Sequence, residues 1–375
     1  MPFKAKVDTT QINNIKINFI LTTARTGSTL LTTMLNMHPN IISTIEEPFA
    51  YNLYPKYKKI KTWTSDTIKE FCYDFYLMSE GFLEVQFGTK NDLETLLEAN
   101  KSDLTVETAI KTAYLCFFPN KIKTEITTVV DKQLKFHLCL KKVAKFYPLS
   151  KFIILYRDPR DQALARFKMF EKLNKQKDYY QIAHIWKYCY SKLHKLKNKI
   201  GINRFLEIKY EDLVSNPDIE LKKICSFLDI RYSKEMLNYD KQVRPPLAFN
   251  KENGLSQNNN ISSLHDGITN EVSKDKIGFW KKGLKAQEAN LIWTVCCELA
   301  EKIGYAREGN FIKQKISFKN YLTHLNILRI RMITLLYYSL PISIKHTLFQ
   351  MKFGKQFRVT NYTSKQFYEK TYYNR

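Results

Sequence analysis

Nowhere does the 375-residue sequence hold a run of about 18 apolar residues, the length a helix needs to cross a bilayer. Residues 1–11 are polar and contain no apolar stretch of the kind that leads a secreted chain. These two absences point to a soluble protein and to the cytoplasm. The seven cysteines, at 72, 116, 139, 189, 225, 296 and 297, are odd in number and show no C-x-x-C spacing. That pattern indicates neither a disulfide framework nor a zinc site, and it fits a reducing compartment. Acidic residues are scarce, 36 Asp and Glu against 60 Lys and Arg, a net charge of +24. The excess keeps phosphates, sulfates, acidic glycans, nucleic acid and anionic lipid in play as partners without choosing among them.

Also missing is the lysine of a nucleotide triphosphate loop, which needs a Gly five positions before a Gly-Lys-Ser/Thr. In its place stands Ile15 to Met37, IKINFILTTARTGSTLLTTMLNM. A β-rich apolar run passes through Thr22 to Thr29 into Leu30, Leu31, Met34 and Leu35, which are spaced for one helix face. The pattern predicts strand, tight loop and helix. Gly27 can take backbone angles that a side chain forbids, so several N–H groups can converge on an anion at the start of a helix dipole. Arg25 brings a planar fork of donors that fits a phosphate or sulfate oxygen pair. An ordinary strand–helix turn with surface hydroxyls is the plainer reading of the same residues.

What is present otherwise suits an α/β protein. Ile41 to Ile45 reads as a second strand followed by Glu46-Glu47-Pro48, a pair of carboxylates that serve either as a base near the anion loop or as a cap on the next element. Residues 50–125 read as a helical insertion rich in aromatics, of which Tyr51, Tyr54, Tyr57 and Trp63 either stack on a substrate or fill a core. Ile126 to Val130 forms a third β-branched run ending in Asp131-Lys132. In Lys151 to Asp161, KFIILYRDPRD, unbroken apolarity suits a strand covered on both faces, with Asp158 and Pro159 starting a helix. Arg157 at that junction meets either another anion or a neighbouring aspartate. Phe205 to Tyr210 reads as a further strand and Asn216-Pro217 as a helix start. Residues 241–277 read as a lid, and a helix through Ile292, Cys296 and Leu299 is expected to end at Gly304. From 311 onward twelve Lys and Arg face one acid, Glu369. This basic, aromatic-rich extension, residues 311–375, either docks on the body or contacts an anionic membrane or other polyanion.

Taken in order, ARTGSTLLTTMLNMHP, EEPF, the Asp131-Lys132 pair, YPLSKFIILYRDPRD, YEDLVSNPDIELKKICSFLDI and KIGFWKKGL resemble the sulfotransferase family over Ile15 to Tyr305, in particular its carbohydrate, tyrosylprotein and bacterial branches. The resemblance implies a P-loop-like three-layer sandwich with a central parallel sheet, in a domain of residues 1–310. It implies transfer of a sulfuryl group from 3′-phosphoadenosine-5′-phosphosulfate (PAPS) to a hydroxyl or amine, leaving 3′-phosphoadenosine 5′-phosphate (PAP), with no metal and no nucleic acid. A carbohydrate or small metabolite is the acceptor expected by analogy. Arg25, Thr26, Gly27, Ser28 and Thr29 match the 5′-phosphosulfate loop, and Arg157 matches the 3′-phosphate ligand. The family's serine eight residues after that arginine is Ala165 here, followed by Arg166. Glu47, or Glu46 beside it, matches the general base, and Lys132 a lysine over the transferring group. Lys281 and Lys282 lie near the family's closing phosphate clamp, although the Arg-Lys-Gly of cytosolic members is Ser273-Lys274-Asp275. A kinase or nucleotide hydrolase with an atypical phosphate loop, or a basic polyanion-binding protein, are the readings outside the family.

Overall fold

A computed structural model describes residues 9–45, 48–78, 90–116, 126–172, 178–239, 274–308, 311–312, 318–345 and 347–348. Five strands, β1 (Lys16–Leu21), β2 (Ile41–Ile45), β3 (Thr128–Gln133), β4 (Phe152–Tyr156) and β5 (Phe205–Lys209), form one sheet in the order β2-β3-β1-β4-β5. Every pairing is parallel. Parallel strands need crossovers that lay helices over both faces, which is why β3 and β4 are buried at every position and β4 reads as an unbroken apolar run. Side chains alternate between two cores. Phe19, Leu21, Val129 and Ile154 enter one, and Ile20, Val130, Ile153 and Leu155 enter the other. The expected three-layer sandwich is therefore the fold.

The layer over the second core is built from α2 (Ser28–Asn36), α10 (Tyr210–Ser215) and α11 (Pro217–Phe227). The first core takes the remaining long helices. α3 (Phe49–Tyr57), α4 (Ser65–Met78), α5 (Lys90–Ala99) and α6 (Val106–Leu115) make the helical insertion, with α7 (Leu140–Phe146) beside it. α8 (Pro159–Lys172), α9 (Tyr179–Ile200) and α13 (Ala286–Ile303) complete that layer, preceded by α1 (Thr9–Asn14) and the single turn α12 (Trp280–Gly283). Local chemistry explains the boundaries. Asp158 caps α8 by accepting from the Arg160 amide at 2.8 Å, Asp178 caps α9 through the Gln181 amide at 2.6 Å, and Gly304 closes α13 at φ 92°.

The third strand runs Thr128–Gln133, so Lys132 stands at its carboxyl end as expected, and Asp131, Lys132 and Gln133 are all buried. Of the two readings of the aromatics, Tyr51, Tyr57 and Trp63 take the core one. They are buried at 4%, 0% and 2% exposure, and Tyr57 stacks on Trp63 at 5.7 Å. Tyr54 likewise stacks on Phe146 at 4.6 Å. Of the expected lid, residues 241–273 lie outside the described residues, and Lys274–Lys276 form a 3₁₀ turn. In the basic extension, α14 (Phe318–Ser339) docks on the body. Tyr51 donates its hydroxyl to the Tyr338 carbonyl at 2.8 Å, and Lys345 reaches Asn52 Oδ1 at 3.0 Å.

Candidate active site

Because β2 and β4 lie on opposite sides of β1, the chain reverses direction across the sheet at the carboxyl end of β1, where ligands collect in open α/β sheets. That point is occupied by Thr22 to Gly27. Arg25 and Gly27 both sit in the left-handed region, at φ 68° and 86°. Two such turns in three residues wrap the loop over the start of α2, whose first amides have no intrahelical acceptor. Internal bonds hold the curl. Thr26 Oγ1 donates to the Thr23 carbonyl at 2.8 Å, Thr22 Oγ1 lies 2.6 Å from Thr26 Oγ1, and Thr22 also donates to Leu155 O at 2.9 Å. Thr26 and Ser28 are buried while Arg25 and Thr29 remain partly open.

Gly27 is required on two counts. Its φ is unfavourable for any L side chain, and a β-carbon there would strike the Tyr210 ring. That ring also carries the Arg157 guanidinium, 4.3 Å from its centroid. Arg157 donates to the Arg25 carbonyl at 3.0 Å and to the Lys276 carbonyl at 2.9 Å. Neither neighbouring aspartate takes it. Asp158 is engaged by Arg160, at 2.6 and 3.0 Å, and Arg160 is clasped between the Trp280 and Trp293 rings. Asp161 instead accepts from the amides of Gly278 and Trp280 at 2.7 and 2.9 Å, fastening the segment before α12 over Arg157. Burial pushes the Asp161 carboxyl up to about 6.

Three buried polar atoms have no partner among the described residues: Arg157 Nε, just before α8, and Gln162 Oε1 and Arg166 Nε on it. Gln162 and Arg166 stand one turn apart on α8, and Gln162 Nε2 donates to the Ala24 carbonyl at 2.6 Å. Buried polar atoms are rarely left unpaired, so a cluster of them marks a place where a ligand belongs. Its sign is set by the cations. Burial, with Arg157 alongside, holds the Arg25 guanidinium below its ordinary value, and burial brings Arg166 down to about 10. An anion in this crevice would relieve both.

Lys132 sits in register with Ile20 and Ile45, buried at the carboxyl end of β3, on the α2 side by alternation with Val130. Asp131 points the other way. It accepts from Tyr114, Thr44 and Gln133 at 2.8 to 3.0 Å, and burial raises its carboxyl to about 7. Glu46 and Glu47 lie outside the described residues. Lys281 is turned to Glu308 at 2.5 Å and Lys282 is exposed, so the part of this segment brought to Arg157 is the Lys276 carbonyl and the Phe279 ring, 5.4 Å away.

A sulfotransferase family model matches residues 18–234, more than half of the chain and every strand of the sheet except the first two residues of β1. The chain belongs to the sulfotransferase family. Its curated relatives include a provisionally named protein-tyrosine sulfotransferase of Caenorhabditis briggsae, 23% identical over 61% of this chain and 70% of that protein. Protein-tyrosine sulfotransferase A of Caenorhabditis elegans is 22% identical over 70% of this chain and 60% of that protein. Among solved structures, the sulfotransferase domain from the curacin biosynthetic pathway aligns with 78% of this chain and 99% of its own, at a TM-score of 0.50 and 19% identity. That of the Synechococcus PCC 7002 olefin synthase aligns at the same score over 79% and 97%. These likenesses concern the fold.

Within this sulfotransferase, Tyr210, Gln162, Asp161 and Phe279 shape the site beyond what the motifs announced. Tyr210 and Asp161 lie inside recognised motifs but carry no signal that separates them from capping residues. Gln162 is one turn before Arg166 on a helix face that the periodicity of α8 does not single out.

Proposed function

We propose that the protein transfers a sulfuryl group from PAPS to a hydroxyl or amine acceptor. The observation that carries this is the buried, unpartnered set of Arg157 Nε, Gln162 Oε1 and Arg166 Nε beside a left-handed glycine loop. Their chemistry fits the donor. PAPS presents an anion at each end of its ribose, and when bound it supplies the sulfuryl group and a phosphate leaving group.

The loop amides of Thr26, Gly27 and Ser28, together with Arg25, would hold the 5′-phosphosulfate. Arg157 would hold the 3′-phosphate, aided by Arg166 in place of the missing Ser at 165. Sulfuryl transfer, like phosphoryl transfer, gains from fixed cations over the equatorial and leaving oxygens. Arg25 and Lys132 serve that end, and Lys132 is already desolvated at the carboxyl end of β3. The acceptor loses a proton as it attacks. Glu47, or Glu46, takes it, a contribution of about 10²- to 10⁴-fold for a positioned base.

By family analogy the acceptor is a carbohydrate or small metabolite hydroxyl. The names of the Caenorhabditis relatives favour a second reading, protein tyrosine. Incubation with radiolabelled PAPS and a panel of sugars, phenols and tyrosine peptides separates the two. Label transfer that fails in both Arg25→Ala and Glu47→Gln supports the assignment; transfer that survives in Arg25→Ala contradicts it.

A further inference from the structure

The helix α14 is inside out. Toward the body it turns Thr323, His324 and Arg331: Thr323 meets Asp178, the His324 ring lies 4.9 Å from that of His184, and Arg331 donates to the His184 carbonyl at 3.0 Å. Of its apolar residues, Ile327 is buried at 3% exposure. The opposite face presents Phe318, Leu322, Leu325, Met332, Ile333 and Leu336, exposed by 76%, 51%, 46%, 65%, 59% and 63%. A helix packed on a globular body ordinarily directs its apolar stripe inward. A broad apolar face left outward, with the exposed Arg329 set within it, marks a surface that something covers.

Charge selects the occupant. From residue 309 to residue 368 there is no Asp or Glu, while ten Lys and Arg occur. Pairing two copies face to face would bring two such cationic segments together. An anionic bilayer is complementary to both the apolar face and the charge. No helix among the described residues is long and apolar enough to cross a membrane, so the geometry is that of a helix lying in the interface plane. We propose that α14 is an in-plane membrane anchor, its apolar face set into the headgroup–acyl boundary of an anionic leaflet.

The test is flotation of the full chain with phosphatidylcholine vesicles containing about one third phosphatidylserine, beside phosphatidylcholine alone, at low and high salt. The wild type is expected to float with the anionic vesicles, and about tenfold less with the neutral ones. The triple variant Leu322→Glu, Met332→Glu, Leu336→Glu changes only exposed side chains, so its melting temperature and PAP binding stay unchanged while flotation falls about tenfold or more. A wild type that does not float, or a triple variant that floats equally well, overturns the anchor. So does a wild type that is dimeric in solution, becomes monomeric in the triple variant and ignores vesicles, which would make a second copy the occupant.

Discussion

Arg157 spends two of its nitrogens on the carbonyls of Arg25 and Lys276 and keeps Nε buried toward the crevice. Those two bonds explain how one residue links the anion loop to the closing segment, and why its motif could be read from sequence while its partners could not: both partners are backbone atoms. Ala165, beside Arg166, offers a direct probe. Ala165→Ser adds a hydroxyl worth about 1 kcal/mol if it reaches a bound 3′-phosphate, so PAP should bind about fivefold more tightly, measured by calorimetry. Asp131 yields a second prediction. Its carboxyl rises from 3.8 to about 7 on burial, so between those values the folded state holds a proton that the unfolded state has lost. Stability must therefore fall as pH rises through that window, by roughly 4 kcal/mol in total for this group. Asp131→Asn keeps an acceptor oxygen for Thr44 and Gln133 and cannot ionise. Thermal melts from pH 4 to 7 should show the variant losing less stability than the wild type.

At the scale of elements, the loop between β1 and α2 was legible because its demands are local. A glycine before a helix start, a preceding arginine and a β-rich run state their roles within a few residues. The strand runs were legible for a related reason, since strands covered on both faces cannot hide their apolarity. What stayed illegible depends on contacts across long sequence separations. Tyr51, Tyr57 and Trp63 look identical in sequence to a stacking platform, and only their packing against α4 and α7 makes them core. Asp161 resembles a first-turn capping acid, yet its partners are amides more than a hundred residues away. The strand–loop–helix junction carries its own prediction. Gly27→Ala combines a left-handed strain of about 1 to 2 kcal/mol with a collision against Tyr210, which also supports Arg157. Melting should drop by several degrees and PAP affinity by about tenfold, because the loop and the arginine move together.

Over the whole molecule, the sheet and its two cores position the site, and the extension is fastened to α3 and α9. Lys345 is one of the fasteners. It is buried at 3% exposure, bonded to Asn52 and ringed by Tyr51, Tyr337 and Tyr338, and burial lowers its ammonium from 10.5 to about 8. Between those values the unfolded chain binds a proton that the folded chain has released, so stability should rise with pH from about 8 to 10.5. Lys345→Met, which has nothing to deprotonate, should flatten that rise in pH-dependent melts. The basic composition of the extension was visible in sequence. Its inverted burial was not, because a helix with apolar residues on a broad face is normally assigned to a core, and the choice of which face docks is made by partners on α9 and α3.

The claim on which the rest depends is that the crevice between Arg25, Arg157 and Arg166 receives a 3′,5′-bisphosphorylated nucleoside. Calorimetric titration with PAP, beside AMP and ATP with magnesium, on the wild type and on Arg157→Ala tests it most directly. The account predicts tight binding of PAP, much weaker binding of AMP, and loss of that difference in Arg157→Ala. Equal affinity for PAP and AMP in the wild type, or a preference for ATP with magnesium, would contradict it.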